Sequence, residues 1–335
     1  VYEIALIHNA QAIADGEMDV SELGVKAVDA QTLEVQLDMP VIFFDSLMAF
    51  PTFFPVNEKF VEACNGNFAT SPETLLACGP YIVTEYTPAA TEYKLAKNEN
   101  YWDADAVKLD GLDFQIITDN QTALLSYQNN SLDLIRIAGE QVELVKDDPA
   151  FTVLPGAGYL WYISMNLSGN EALGNANFRK ALSLSIDRDA LANNVLADGS
   201  APVNYLVPRN LANGPDGKDF RDGAYTYPDC DKTEAAEYYK KACEDLGKDT
   251  FTFEMLVQDS DTAQNVAAYV QNQVQNALPG VTITLRVETR KQLTADMRAS
   301  EYDLGITRWG ADYSDPMTFL GLWSTGASNN FGKWS

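Results

Sequence analysis

The chain has 335 residues, 46% of them hydrophobic and 21% charged, with a formal net charge of −25. That length holds two or three domains with a well-buried core. The acidity argues against nucleic acid and anionic membrane surfaces as partners, since both select basic patches, and no apolar run approaches the roughly 18 residues that cross a bilayer.

In chain order, "GVKAVDAQTLEVQLD" predicts two short strands around a turn at Asp29, Ala30 and Gln31. "YIVTEYTPAATEYKLAKNENYW" predicts a second strand pair with Pro88 in its turn, and "LDGLDFQIIT" a further strand. "NQTALLSYQNNSLDLIRI" reads as a helix followed by a strand. Pro155, Gly156 and Gly158 interrupt two apolar strands, Phe151 to Leu154 and Tyr159 to Met165. That interruption suits either a hairpin or a crossing between lobes that absorbs a hinge rotation. "ANFRKALSLSIDRDALANNVLADG" predicts two helical pieces, with Asp187 capping the second and Gly199 ending it. A longer helix follows over Lys232 to Leu246, stopped by Gly247.

The last third has the clearest pattern. "TFTFEMLVQ" alternates as a strand; Val266, Tyr269, Val270, Val274 and Leu278 then recur at helical spacing until Pro279-Gly280. "VTITLRV" alternates again, "TRKQLTADMRASEY" places Leu293 and Met297 on one helical face, and "DLGITRW" closes as a third strand. Strands joined through helices predict a parallel sheet, whose ligands bind beyond the carboxyl ends of its strands. Trp309, Gly310, Ala311, Asp312 and Tyr313 occupy that place on the third strand.

The four cysteines, at 64, 78, 230 and 243, lack zinc-ligand spacing and suit either free thiols or two local pairs. With His8 as the single histidine, a histidine-dependent nucleophile or transition-metal site has little to build on. Neither a metal site nor a cofactor is expected. The chain opens at Val1 with no signal segment and reads as a processed or truncated piece.

Three blocks carry a resemblance. "GPYIVTEYTPAATEYKLAKNENYWDADAVKLDGLDFQII", "NFRKALSLSIDRDAL" and "RWGADYSDPMTFLGLWSTGASNN" are similar, in this order, to the family 5 extracellular solute-binding proteins of ABC transporters, the oligopeptide- and dipeptide-binding group. The resemblance implies an α/β, two-lobe periplasmic-binding-protein-like fold (type II) with a small extra domain on the first lobe. By that analogy residues 1–57 belong to the small domain, 58–157 to the first lobe and 158–335 to the second, and segments that the family carries before and after this region are missing. The implied protein is monomeric and lies outside the cytoplasmic membrane, in the periplasm or as a surface lipoprotein. It captures short peptides between its lobes and delivers them to permease subunits, without catalysis.

In oligopeptide-binding relatives the aspartate of a W-x-A-D-Y segment pairs with the peptide's α-ammonium, and Asp312 is that residue here. Spacing alone leaves a turn-capping role for it open. The backbone of Arg308, Trp309 and Gly310 would pair with an extended ligand as an added strand. Trp309 and Tyr313 would wall it, as would Trp161 and Tyr162, although alternation sends the latter two to opposite faces. Ser328, Asn329 and Asn330 offer polar contacts, and Arg308 suits a peptide carboxylate or an exposed salt bridge. Three other readings stand beside peptide import: the same fold holding an oligosaccharide, opine, haem or metal complex; a hydrolase using Asp312 and Asp315; and a peptide-signal receptor without transport.

Overall fold

The computed structural model describes residues 3–137, 141–152 and 159–335. Pro155, Gly156 and Gly158, and with them the candidate hinge, lie outside the described residues. The chain divides into two compact units, one formed by Val1–Phe53 with Ile137–Ser335 and the other by Phe54–Arg136. The boundaries expected from the family analogy were 57/58 and 157/158; here residues 1–53 group with the C-terminal part.

In the first unit, β1 (Val25–Asp29) and β2 (Thr32–Val35) form the predicted antiparallel hairpin. Its turn is held by the Asp29 carboxylate, which accepts from the Gln31 amide and the Thr32 hydroxyl. His8 sits close by with Nδ1 2.7 Å from Asp38, a surface pair.

The Phe54–Arg136 unit is built on an antiparallel sheet of order β3-β4-β5, from β3 (Tyr81–Glu85), β4 (Glu92–Lys97) and β5 (Gly111–Gln115). Helix α1 (Asn120–Gln128) follows, its first turn capped by Asp119, which accepts from the Thr122 amide. The strand expected after α1 does not form. Residues 132–137 have no ladder partner among the described residues, and Leu134 is 88% exposed. Alternating apolar residues make a strand only when a neighbour takes up the backbone groups.

The rest of the first unit is a four-stranded sheet of order β6-β9-β7-β8. Its strands are β6 (Tyr159–Met165), β7 (Phe251–Gln258), β8 (Val281–Glu288) and β9 (Leu304–Gly310). β7 runs parallel to β8 and β9, as the β-α-β-α-β pattern predicts, and β6 joins the edge antiparallel to β9. Before β7 come α2 (Ala176–Ser185) and α3 (Lys232–Leu246); α4 (Asp261–Ala277) links β7 to β8, and α5 (Arg290–Ala299) links β8 to β9.

Strand alternation sorts the core. Phe251, Phe253, Met255 and Val257 of β7 point to one face, with Ile283, Leu304 and Ile306, and pack against Phe178, Ala242, Val266 and Val270 from α2, α3 and α4. Leu256 points the other way and meets Leu293 and Met297 of α5 together with Tyr302. Each such large side chain contributes about 1.5–3 kcal/mol on burial. Asp187 caps its short helix as predicted, accepting from the Ala190 amide, but that helix ends at Leu196 with Ala197 left-handed, ahead of Gly199. All four cysteines are free.

Candidate functional site

Three parallel strands put their carboxyl ends at one side of the sheet, and the chain beyond each end is the natural ligand-bearing position. At β8 that chain is Thr289 and Arg290; at β9 it is Ala311, Asp312 and Tyr313. β6 runs the opposite way, so its first residues, from Tyr159, arrive at the same end.

Asp312 departs from an ordinary turn aspartate. Its amide donates to the Thr318 hydroxyl at 3.0 Å, and its Oδ2 is buried without a hydrogen-bond partner among the described residues. Loss of water around the carboxyl, reinforced by the negative charge of Glu3, lifts its pKa from 3.8 to about 6. The turn is held by Asp315, whose carboxylate accepts from the Met317 amide at 2.9 Å just ahead of helix α6 (Met317–Leu320), where Pro316 stands at the N-cap. A buried, unsatisfied carboxylate oxygen is costly and is relieved by a donor or a cation.

Thr318 is fully buried and ties the loop to the strand, accepting also from Trp309 Nε1 at 3.5 Å. Trp309 shares a face of the sheet with Leu160 and packs with it beside Phe319 and Val207. Its ring thus serves the fold at one edge, while it also lines a cavity of about 150 Å³ with Tyr162, Arg290, Arg298, Arg308 and Asn329. Tyr313 stacks on Phe43, centroids 4.0 Å apart and planes at 7°.

Trp161 and Tyr162 point to opposite faces, as strand alternation requires. Trp161 packs against the helix-covered core, and Tyr162 faces the cavity with its ring edge-on to Trp323 at 5.4 Å. Burial pushes the Tyr162 phenol well above its usual range, with Tyr302 adding to the rise and Arg290 opposing it. Arg308 forms no ion pair among the described residues; its guanidinium lies 5.0 Å and 5.2 Å over the rings of Tyr159 and Trp161. Gly310 sits against Tyr159, where a Cβ would come within 3.0 Å of the ring. Asn329 reaches the cavity; Asn330 does not. The Asn330 side chain is buried and donates to the carbonyls of Ser324 and Trp334 while accepting from the Trp334 amide, so it staples its own loop.

The backbone of β9 is unequally used. On one flank all seven residues pair with β6, from Tyr159↔Gly310 to Met165↔Leu304. On the other, β7 pairs only with Leu304 and Gly305. The flank from Ile306 to Gly310 therefore has no strand neighbour among the described residues, and Asp312 lies just past its end.

Sequence reasoning missed Glu3, Phe43, Thr318 and the α5 arginines. The first two come from more than 250 residues away in the chain, and no local pattern announces them. Arg290 and Arg298 carried a legible signal, since they flank the Leu293–Met297 stripe of a helix that begins at a strand's carboxyl end.

The α/β sheet, with Asp312 past the end of β9 and β9 half-paired among the described residues, is consistent with a periplasmic-binding-protein-like fold. The chain belongs to the bacterial extracellular solute-binding proteins, family 5, whose model matches residues 3–331. It is 30% identical to the oligopeptide-binding protein OppA of Bacillus subtilis strain 168 over 99% of this chain and 61% of that protein. The structure of Listeria monocytogenes OppA bound to peptide superposes with a TM-score of 0.91 at 32% identity, covering 100% of this chain and 66% of that one. An oligopeptide ABC transporter substrate-binding domain from Bacillus anthracis gives 0.86 at 35%, covering 99% and 66%. The chain thus spans between three-fifths and two-thirds of the length of these relatives.

Proposed function

We propose that this protein is the substrate-binding component of an ABC importer, taking up short peptides outside the cytoplasmic membrane and passing them to permease subunits. The observation that carries the reading is Asp312 Oδ2, buried at the end of β9 without a hydrogen-bond partner among the described residues. A peptide's α-ammonium satisfies it and is common to every ordinary peptide, whatever the first side chain. The open flank of β9 from Ile306 to Gly310 supplies main-chain donors and acceptors, so the ligand lies as an added strand and its side chains are specified loosely. Relatives described as oligopeptide- and dipeptide-binding proteins support this choice over the other solutes. The protein works as a monomer, held at the membrane by a lipid anchor or free in the periplasm. It turns nothing over: Asp315, the only partner the sequence offered for an acidic pair, spends its carboxylate on the Met317 amide.

Calorimetry with a free-amine tripeptide and its N-acetylated twin, on wild type and Asp312→Asn, tests the reading. Acetylation and the substitution should each weaken binding by about 2–5 kcal/mol, and their effects should overlap rather than add. Equal binding in all four combinations removes Asp312 from the site. Recovery of cleaved peptide after incubation would instead restore the hydrolase reading.

A further inference from the structure

The surroundings of Asp312 are not built from the β9 loop alone. The residues ahead of β1 are tied to those after β2: the Asp38 amide donates to the Leu6 carbonyl at 3.1 Å, the His8 amide to the Gln36 carbonyl at 2.9 Å, and Ile7 bridges to Leu37. A short way beyond Asp38, the Phe43 ring lies flat on Tyr313, with centroids 4.0 Å apart. The opening segment of the chain is thereby carried to the residue next to Asp312. Glu3, at its head, sets its negative charge against the Asp312 carboxyl.

No cation of the protein answers this pair. Neither Glu3 nor Asp312 forms an ion pair among the described residues, and His8, on the same segment, is held by Asp38 at 2.7 Å. Like charges side by side, where water is partly excluded, make each other costlier to ionise. A single ammonium on Asp312 cancels one charge and leaves the other. Glu3 is half-buried, so a cation gains more beside it than at an open surface and less than in a core.

We propose that Glu3 reads the side chain of the ligand's first residue and selects a basic one, so that the site takes two positive groups at the leading end of a peptide: the α-ammonium on Asp312 and a side-chain ammonium on Glu3. The inference rests on the peptide reading above. A lysine side chain suits the task, being a compact charge on a flexible stem that starts at the same Cα as the α-ammonium. An acidic first residue brings a third negative charge to the same place and is rejected for the same reason. The selection acts on charge, so uncharged first residues still bind through Asp312.

Calorimetry in dilute buffer tests this with lysyl-alanyl-alanine, trialanine, glutamyl-alanyl-alanine and alanyl-lysyl-alanine. Wild type should bind the first about three- to tenfold more tightly than trialanine, and the glutamyl peptide more weakly than trialanine. Glu3→Gln should bring the lysyl peptide and trialanine within about twofold of each other, and Glu3→Lys should reverse the order of the lysyl and glutamyl peptides. Circular dichroism checks that both variants fold. Alanyl-lysyl-alanine should bind like trialanine; an equal gain from lysine at the second position would assign the effect to the general attraction of an acidic protein and overturn the proposal. A lysyl preference that survives both variants overturns it as well. If the peptides bind but the first side chain's charge changes nothing, Glu3 has no part in selection and the ammonium reading stands. Cadaverine, a diamine without a peptide backbone, should not compete with lysyl-alanyl-alanine. Competition at equal concentration, or absence of binding by all four peptides, overturns the peptide reading, and this inference with it.

Discussion

Replacing Asp312 by asparagine should stabilise the ligand-free protein at neutral pH even as it removes the partner for the ammonium. The carboxyl that titrates at 3.8 in water titrates at about 6 in the fold. At about 1.4 kcal/mol per tenfold change in acidity, ionising it there costs about 3 kcal/mol if none of the difference is screened. Asp312 keeps part of its surface in water, which reduces the figure to about 1–2 kcal/mol. Between about pH 4 and 6 the folded chain holds more protons than the unfolded one, so stability falls as pH rises through that window. Below it both states are protonated and the penalty is absent; above it the penalty is complete. Asparagine carries no charge and escapes it. Urea unfolding of both proteins, followed by tryptophan fluorescence, should show little difference near pH 4 and a variant more stable by about 1–2 kcal/mol near pH 7. A variant less stable than wild type near neutrality, or an offset that ignores pH, would refute the idea of a desolvated carboxylate at this position.

Affinity for a free-amine peptide should fall as pH drops through about 6, because a protonated Asp312 no longer attracts an ammonium. Titration calorimetry in buffers of different ionisation enthalpy should register proton release on binding near that pH. Asn330→Ala deletes three internal hydrogen bonds from a buried amide and should cost about 2–3 kcal/mol, read from urea midpoints, with the loop from Ser324 to Trp334 gaining protease sensitivity. Gly280→Ala places a Cβ 2.1 Å from the Asp249 carbonyl at a φ of +94°, and thermal unfolding should show a loss of more than about 2 kcal/mol.

The sheet of the larger unit was legible because each of its elements carries its own signal. Val281 and Ile283 alternate inward, Leu293 and Met297 share a helical face, and Gly247 and Gly280 stop the helices that precede them with left-handed backbone. The order of those elements points to the chain beyond the carboxyl ends of the strands, where Trp309 and Asp312 lie. What lay hidden depends on contacts between distant segments. The backbone tie of Asp312 to Thr318 and the like charge of Glu3 near its carboxyl come from contacts that no local pattern announces, and Asn330 looks like any loop asparagine until its hydrogen-bond partners fold around it. The strand expected at residues 132–137 failed for a related reason, because apolar alternation describes one strand and says nothing of its neighbour. The antiparallel placement of β6 likewise follows from its pairing with β9 and not from its sequence.

A strand zipped along one side and, among the described residues, without a strand neighbour along most of the other resembles a fastener left open. An unpaired strand edge also invites a second copy of the protein. Two properties discourage that. Arginine at position 308 interrupts the apolar run, and a surface this acidic keeps copies apart at ordinary ionic strength. High salt removes the second safeguard, so empty protein stored in brine should self-associate sooner than protein whose gap is already filled.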